Sequence, residues 1–242
     1  MNQAQFMGRV SGLLRDNGGV RRLPADYGAW LNPSRLAGIG AGDMRGLYHR
    51  GVKNRLHAYR VVVMVDCSGS MASAEDVAGG GYLIKYKAGA LVLHALSYAL
   101  TRSGVAVEGW TFEDEVKPIE PGLLEDVDKL TNRLRPQGNN CDHEAVKVGR
   151  ERLLRATEPG KILLVLSDGH PACGHRKPHP GERLEAEIAL TLRRREITLL
   201  AVGILDTGVQ DYYPKGHFTI CKDLGLLYAS VVGLLNRHIR RG

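Results

Sequence analysis

The stretch "VVVMVDCSGSM", residues 61–71, decides how the chain is read. Five apolar residues, four of them the β-former valine, stop at Asp66, and Ser68 and Ser70 follow at alternate positions. A continuous Val-rich run suits a strand buried on both faces of a parallel sheet. An acid and two hydroxyls at its carboxyl end then project where such sheets bind their ligands.

Three further apolar runs extend the pattern: "VAVEGWTF" at 105–112, "ILLVLS" at 162–167 and "ITLLAVGI" at 197–204. "VAVEGWTF" alternates more and reads as a strand nearer an edge; "HFTI" at 217–220 is a weaker strand. Between the runs, Leu83, Lys87, Ala90, Leu93, Leu96 and Leu100 trace a mostly apolar helical face. Helices are also expected at about 143–156, 181–195 and 223–239. Strands alternating with helices predict an α/β fold, a doubly wound, mostly parallel Rossmann-like sheet with right-handed crossovers. Residues 59–242 form this domain. Residues 1–58, rich in Gly, Arg and Asn, read as an irregular extension packed on it, with one or two short helices.

The 242 residues carry a formal charge of +7. The basic residues are dispersed, apart from "RRR" at 193–195 and "RHIRR" at 237–241, and no aromatic platform interleaves with them. That pattern argues against nucleic acid, and an acidic protein partner accounts for it equally well. No run of 18 apolar residues suggests a membrane span, and the N-terminus has no apolar signal-peptide core, so a cytoplasmic protein is expected. The four cysteines, Cys67, Cys141, Cys173 and Cys221, lie far apart without a CxxC pair and are expected to be reduced and structural.

Asp168 ends "ILLVLSD" as Asp66 ends "VVVMVD". If the two strands are neighbours at the switch point, both carboxylates crown one crevice, with Ser68 and Ser70 beside them. Hydroxyls, few carboxylates and water make a hard oxygen site suited to Mg²⁺ or Mn²⁺. Such a centre leaves the ion under-neutralised, so an acidic side chain from a partner can complete its shell. The plainer reading of Asp and Ser after a strand is a helix N-cap.

"DCSGSM" with a distal "LSDG" resembles the metal-ion-dependent adhesion site of von Willebrand factor A (VWA) domains. The resemblance implies a first ligand loop of Asp66, Ser68 and Ser70 and a third containing Asp168. The second loop of such domains contributes a threonine after a glycine; here the matching stretch is "PQGNNCDHEAV", residues 136–146, in which Asn140 or Asp142 supplies the oxygen. That loop is similar to the one in the VWA subunit of aerobic cobaltochelatase, the CobT type, and the similarity runs through "GERLEAEIALTLRRREITLLAVGI" and "DYYPKGHFTICKDLGLLYASVVGLL". It reaches back to "NPSRLAGIGAGDMRGLYHR". The resemblance implies a non-catalytic subunit of an ATP-dependent complex in cobalamin biosynthesis. It would work with an AAA+ (MoxR/CobS-type) ATPase and a large chelatase subunit.

No "GxxxxGK[ST]" loop occurs, so ATP hydrolysis is not expected of this chain. A metal-dependent hydrolase using Asp66 and Asp168 is the alternative, disfavoured because no nucleophile or general base stands beside the carboxylates. A repurposed VWA adaptor unrelated to tetrapyrroles is a further alternative. His170, Cys173, His175 and His179 in "GHPACGHRKPHPGE" are Zn or Co ligand types at no known zinc spacing. His94 and His143 read as helix-surface residues.

Overall fold

The structure is a computed structural model that describes residues 20–25, 30–31, 48–53, 59–76, 81–102, 105–173, 179–221 and 224–239. Contacts divide the chain into two compact units, one of Met1–Leu13 with Ala58–Gly242 and one of Leu14–His57. In the smaller unit β1 (Val20–Ala25), β2 (Trp30–Leu31) and β3 (Tyr48–Lys53) form an antiparallel sheet in the order β1-β3-β2. The sequence suggested short helices there. Pro24 hid β1, yet β1 is an edge strand, where a residue without an N–H donor is tolerated.

The larger unit holds a six-stranded sheet. Its strands are β4 (Tyr59–Asp66), β7 (Ala106–Phe112), β8 (Val116–Pro118), β9 (Gly160–Ser167), β10 (Ile197–Ile204) and β11 (Phe218–Cys221). The order is β11-β10-β9-β4-β7-β8, parallel throughout except for the antiparallel β7–β8 pair. The doubly wound expectation therefore holds. The chain builds outward from β4 through β7, then returns to its other side with β9. This makes β4 and β9 hydrogen-bonded neighbours, Val65 opposite Leu166, and puts the tips of both strands at the switch point. β8 covers the edge beside β7, which explains the mixed burial along "VAVEGWTF".

Alternation along the buried strands feeds two helical layers. Gly149 of α3 (Asp142–Leu154) approaches Leu163 and Met64, and α3 packs on α4 (Pro180–Leu192). Gly89 of α1 (Lys85–Arg102) approaches Val65 and Ile204, the opposite parity, and α1 also touches α5 (Leu224–Ile239). Val62, Met64, Leu163 and Val165 on one face and Val63, Val65, Leu164 and Leu166 on the other are all 0–1% exposed, so a central strand offers no polar face. Burial of such side chains stabilises by about 1.5–3 kcal/mol each. The short α2 (Val127–Arg133), whose N-cap Asp126 accepts from Asp128 and Lys129 backbone N–H, had no periodic sequence signal. Neither did the hairpin of β5 (Ala74–Asp76) and β6 (Tyr82–Ile84). Leu83, assigned to the first helix from its spacing, lies in β6. No helix among the described residues is long and apolar enough to cross a membrane.

Candidate metal centre

Three loops at the carboxyl rim of the sheet converge on Asp66. β4 delivers its carboxylate fully buried, and both oxygens are engaged: Oδ1 accepts from the Ser68 backbone N–H at 2.8 Å, and Oδ2 accepts from Asn140 Nδ2 at 2.8 Å and from Ser167 Oγ at 2.9 Å. Ser68 and Ser70 hydroxyls lie 3.0 Å apart, Ser68 buried and Ser70 exposed. One short 3-10 turn, Gly69–Ala72, follows Ser68, whose side chain makes no cap hydrogen bond. The two hydroxyls therefore bond each other, and the Ser68 side chain caps no backbone N–H, in contrast to the N-cap reading.

The second loop is held to the first by backbone. Gln137 N–H donates to Cys67 carbonyl at 2.7 Å and Gly69 N–H to Gly138 carbonyl at 3.2 Å. Gly138 has φ +60°, and a Cβ there would lie 2.4 Å from Asp114 Oδ2. Asn140 and Asp142 are both buried, and each keeps one oxygen, Asn140 Oδ1 and Asp142 Oδ2, without a hydrogen-bond partner.

Asp168 brings the third loop. It is fully buried; Lys85 Nζ stands 3.3 Å from its Oδ2, and its Oδ1 has no partner. Gly169 turns the chain at φ +81°, where a Cβ would fall 2.1 Å from the Val209 backbone nitrogen. The loop then ties to the second: Ala172 N–H donates to Asn140 carbonyl at 2.9 Å, and Cys141 and Cys173 form a disulfide, Cα to Cα 4.7 Å. The expectation of four reduced cysteines fails for this pair, because fold topology joins two loops 32 residues apart in the chain. Cys67 and Cys221 form no disulfide and are buried.

Electrostatically the pocket is short of positive charge. Burial, then the Asp168 charge, pushes Asp66 up to about 7 against the hydrogen bonds from Ser68 and Ser167. Burial, then the Asp66 charge, holds Asp142 well above the ordinary carboxylate range. The carboxylates thus feel one another, yet among the described residues no three His, Cys, Asp or Glu side chains gather as a self-sufficient metal cluster. The donor set is mixed: two hydroxyls, an amide oxygen and separated carboxylates. Three buried oxygens without a hydrogen-bond partner are what a hard, water-retaining cation such as Mg²⁺ or Mn²⁺ would satisfy, so the residues present fit it. The structure brings together Asp66, Asn140 and Ser167 directly, with Asp142 and Asp168 within reach of the Asp66 charge. Ser68 and Ser70 lie on the adjoining turn.

The histidine-rich loop assembles no second centre among the described residues. Cys173 is disulfide-bonded, His170 pairs with Asp206 at 3.2 Å, and His179 is the N-cap residue of α4, its backbone N–H donating to Glu182. His175 lies outside the described residues. Burial holds the Cys67 thiol protonated, far above its ordinary range. His143 proves buried, with Nε2 3.4 Å from Arg183, and His94 Nδ1 donates to the Leu124 carbonyl, 2.8 Å away. Sequence reading passed over Ser167, Lys85 and Asp206. Asp206 carried a signal, since "ITLLAVGILD" also ends a buried strand near an acid, and Ser167 stood inside the "LSDG" motif itself.

Comparison with known proteins agrees with this architecture. Residues 129–240 match the family described as "Cobalamin biosynthesis protein CobT VWA domain". The uncharacterized protein YojO of Bacillus subtilis (strain 168) is 25% identical over 158 residues, 63% of this chain; the chain spans only 24% of YojO. The vWF domain of the type V pili tip protein Mfa5 from Porphyromonas gingivalis superposes with a TM-score of 0.56 at 13% identity, over 76% of this chain and 97% of that one. The PilB minor pilin from Streptococcus sanguinis does so at 0.54 and 12%, over 80% of this chain and 64% of the pilin. At such identities the likeness is one of fold. Residues 129–240 are thus similar to the CobT-type von Willebrand factor A domain, and the larger unit has the fold of such a domain.

Proposed function

We propose that this chain is a metal-dependent docking module, a non-catalytic subunit that binds Mg²⁺ or Mn²⁺ at the rim formed by Asp66, Ser68, Ser70, Asn140, Asp142 and Asp168. What supports the reading is that Asn140, bonded to Asp66, and Asp142 and Asp168, whose charges Asp66 feels or acts on, each keep a buried oxygen without a hydrogen-bond partner. A bound divalent cation supplies an electrophilic position that an acidic side chain of another protein can occupy. The chain's own part is to hold the donors. Asp66 fixes Asn140 and Ser167, the Gly69–Gly138 backbone bond sets the first loop against the second, and Ser70 stays exposed towards an incoming partner.

The CobT-type match supports an AAA+ ATPase of the MoxR/CobS kind as that partner, in the cytoplasm, within a cobaltochelatase-like complex that also holds a large chelatase subunit. Pull-down of a co-expressed AAA+ subunit with the tagged protein tests this. Recovery in 5-fold excess Mg²⁺ over chelator, a value set on the order needed to saturate a weak site, and loss in chelator or with Asp66→Ala are expected. Recovery indifferent to both would overturn the metal-dependent reading.

A further inference from the structure

Lys85 is a cation in the wrong place by the ordinary rules. It is the first residue of α1, only 4% exposed, with no acidic residue in the first turn. Burial penalises its charge, and the positive end of a helix dipole repels it. Two carboxylates override both effects: Asp206 Oδ2 at 3.0 Å and Asp168 Oδ2 at 3.3 Å. The local backbone is arranged to deliver Asp206. Leu205 adopts φ 56°, a left-handed conformation costly for a branched side chain, while its N–H donates to the Cys221 carbonyl at 2.7 Å. Thr207 and Gly208 N–H groups then take Asp206 Oδ1 at 2.6 and 3.2 Å, beside His170, leaving Oδ2 to the lysine.

We propose that Lys85 is a positioning residue that sets how tightly the metal centre holds its ion and how positive the loaded centre remains. The inference rests on the metal-dependent docking reading. Asp168 has one oxygen on the ammonium and the other, Oδ1, buried and unpartnered. A divalent ion at Oδ1 would share one carboxylate with Lys85, and the two cations repel each other through a medium of low polarity. Lys85 therefore lowers metal affinity and leaves excess positive charge, which favours a carboxylate ligand from outside. Asp206 works in the opposite sense: by neutralising the ammonium it relieves the repulsion.

Calorimetric titration of Mg²⁺ into wild type, Lys85→Met, Asp206→Asn and Asp66→Ala tests this, with folding of each checked by circular dichroism. Lys85→Met is expected to bind at least about tenfold tighter and Asp206→Asn at least about threefold weaker, as repulsion across one shared carboxylate requires. A purely structural role would weaken both, so Lys85→Met with unchanged or weaker affinity overturns the inference. If Lys85→Met does not fold, unchanged or tighter binding by Asp206→Asn overturns it instead. Wild type without detectable binding but Lys85→Met with binding supports it; binding by neither overturns it. Asp66→Ala binding like wild type would instead remove the underlying docking reading, whatever Lys85 does.

Discussion

Ser167 Oγ donates to Asp66 Oδ2 across 2.9 Å, joining residues 101 positions apart in the chain. The bond exists because β9 lies beside β4 in register, so the last residue of one strand meets the last of the other. Ser167 also accepts from the Gly169 N–H at 3.0 Å, so one hydroxyl links the first ligand loop to the turn that carries Asp168.

Removing the Asp66 charge separates fold from site. Asp66→Asn should abolish divalent-ion binding, yet raise the stability of the metal-free protein at pH 8 by about 1–3 kcal/mol, since a buried carboxylate that resists ionisation is costly to fold. Calorimetric titration and thermal melts measure the two effects. A large loss of stability in Asp66→Asn would show that the carboxylate is wanted for the fold.

The pH dependence follows from the same group. The Asp66 carboxyl is raised to about 7 in the folded protein, so the folded state holds that proton more tightly than the unfolded chain. Its stability contribution is full below the ordinary carboxylate range and is lost as pH rises through about 7; Asp142, also raised, acts in the same direction. His143, lowered by burial and by Arg183, acts oppositely. Without divalent ions, the stability difference between wild type and Asp66→Asn should therefore widen from pH 5 to pH 8. Excess Mg²⁺, which competes with the proton, should remove the widening. A difference flat with pH contradicts the assignment.

The Cys141–Cys173 disulfide closes a 32-residue separation. On the chain-entropy relation such a loop is worth about 3–4 kcal/mol. Reduction, or Cys173→Ser, should lower the melting temperature and weaken Mg²⁺ binding, because Asn140 and Asp142 flank one of the two sulfurs. Melts and titrations with and without dithiothreitol report both. Metal affinity insensitive to reduction would show that backbone bonds alone hold the second loop.

Gly169→Ala should be the most damaging small change at the rim. Its left-handed φ costs a non-glycine residue about 1–2 kcal/mol, and the added methyl meets backbone rather than a yielding side chain. A loss of several degrees in melting temperature together with metal binding is expected; near-normal melting would contradict the close approach to Val209.

Much of this was readable from sequence, for a physical reason. Strands buried on both faces leave unbroken Val, Ile and Leu runs, so β4, β9 and β10 fell within two residues of their bounds, and Asp66 and Asp168 stood out as acids abutting them. The hidden parts depend on what topology brings together. Lys85 looks like an ordinary polar residue at the start of an apolar helix, and only the fold shows it between Asp168 and Asp206. Cys141 and Cys173 have no telling spacing, since their pairing comes from two loops meeting at the rim. β8 and α2 are too short to show a period. In the smaller unit, Pro24 and the Gly-rich composition masked strands that pair with one another.

The most direct test is a crystal grown with Mn²⁺ and phased on its anomalous signal. One strong peak within direct or single-water reach of the Ser68 and Ser70 hydroxyls and Asp168 Oδ1 is the predicted result. A peak elsewhere on the molecule, or none at millimolar Mn²⁺ with these loops ordered, would contradict the claim that the two strand tips hold one cation.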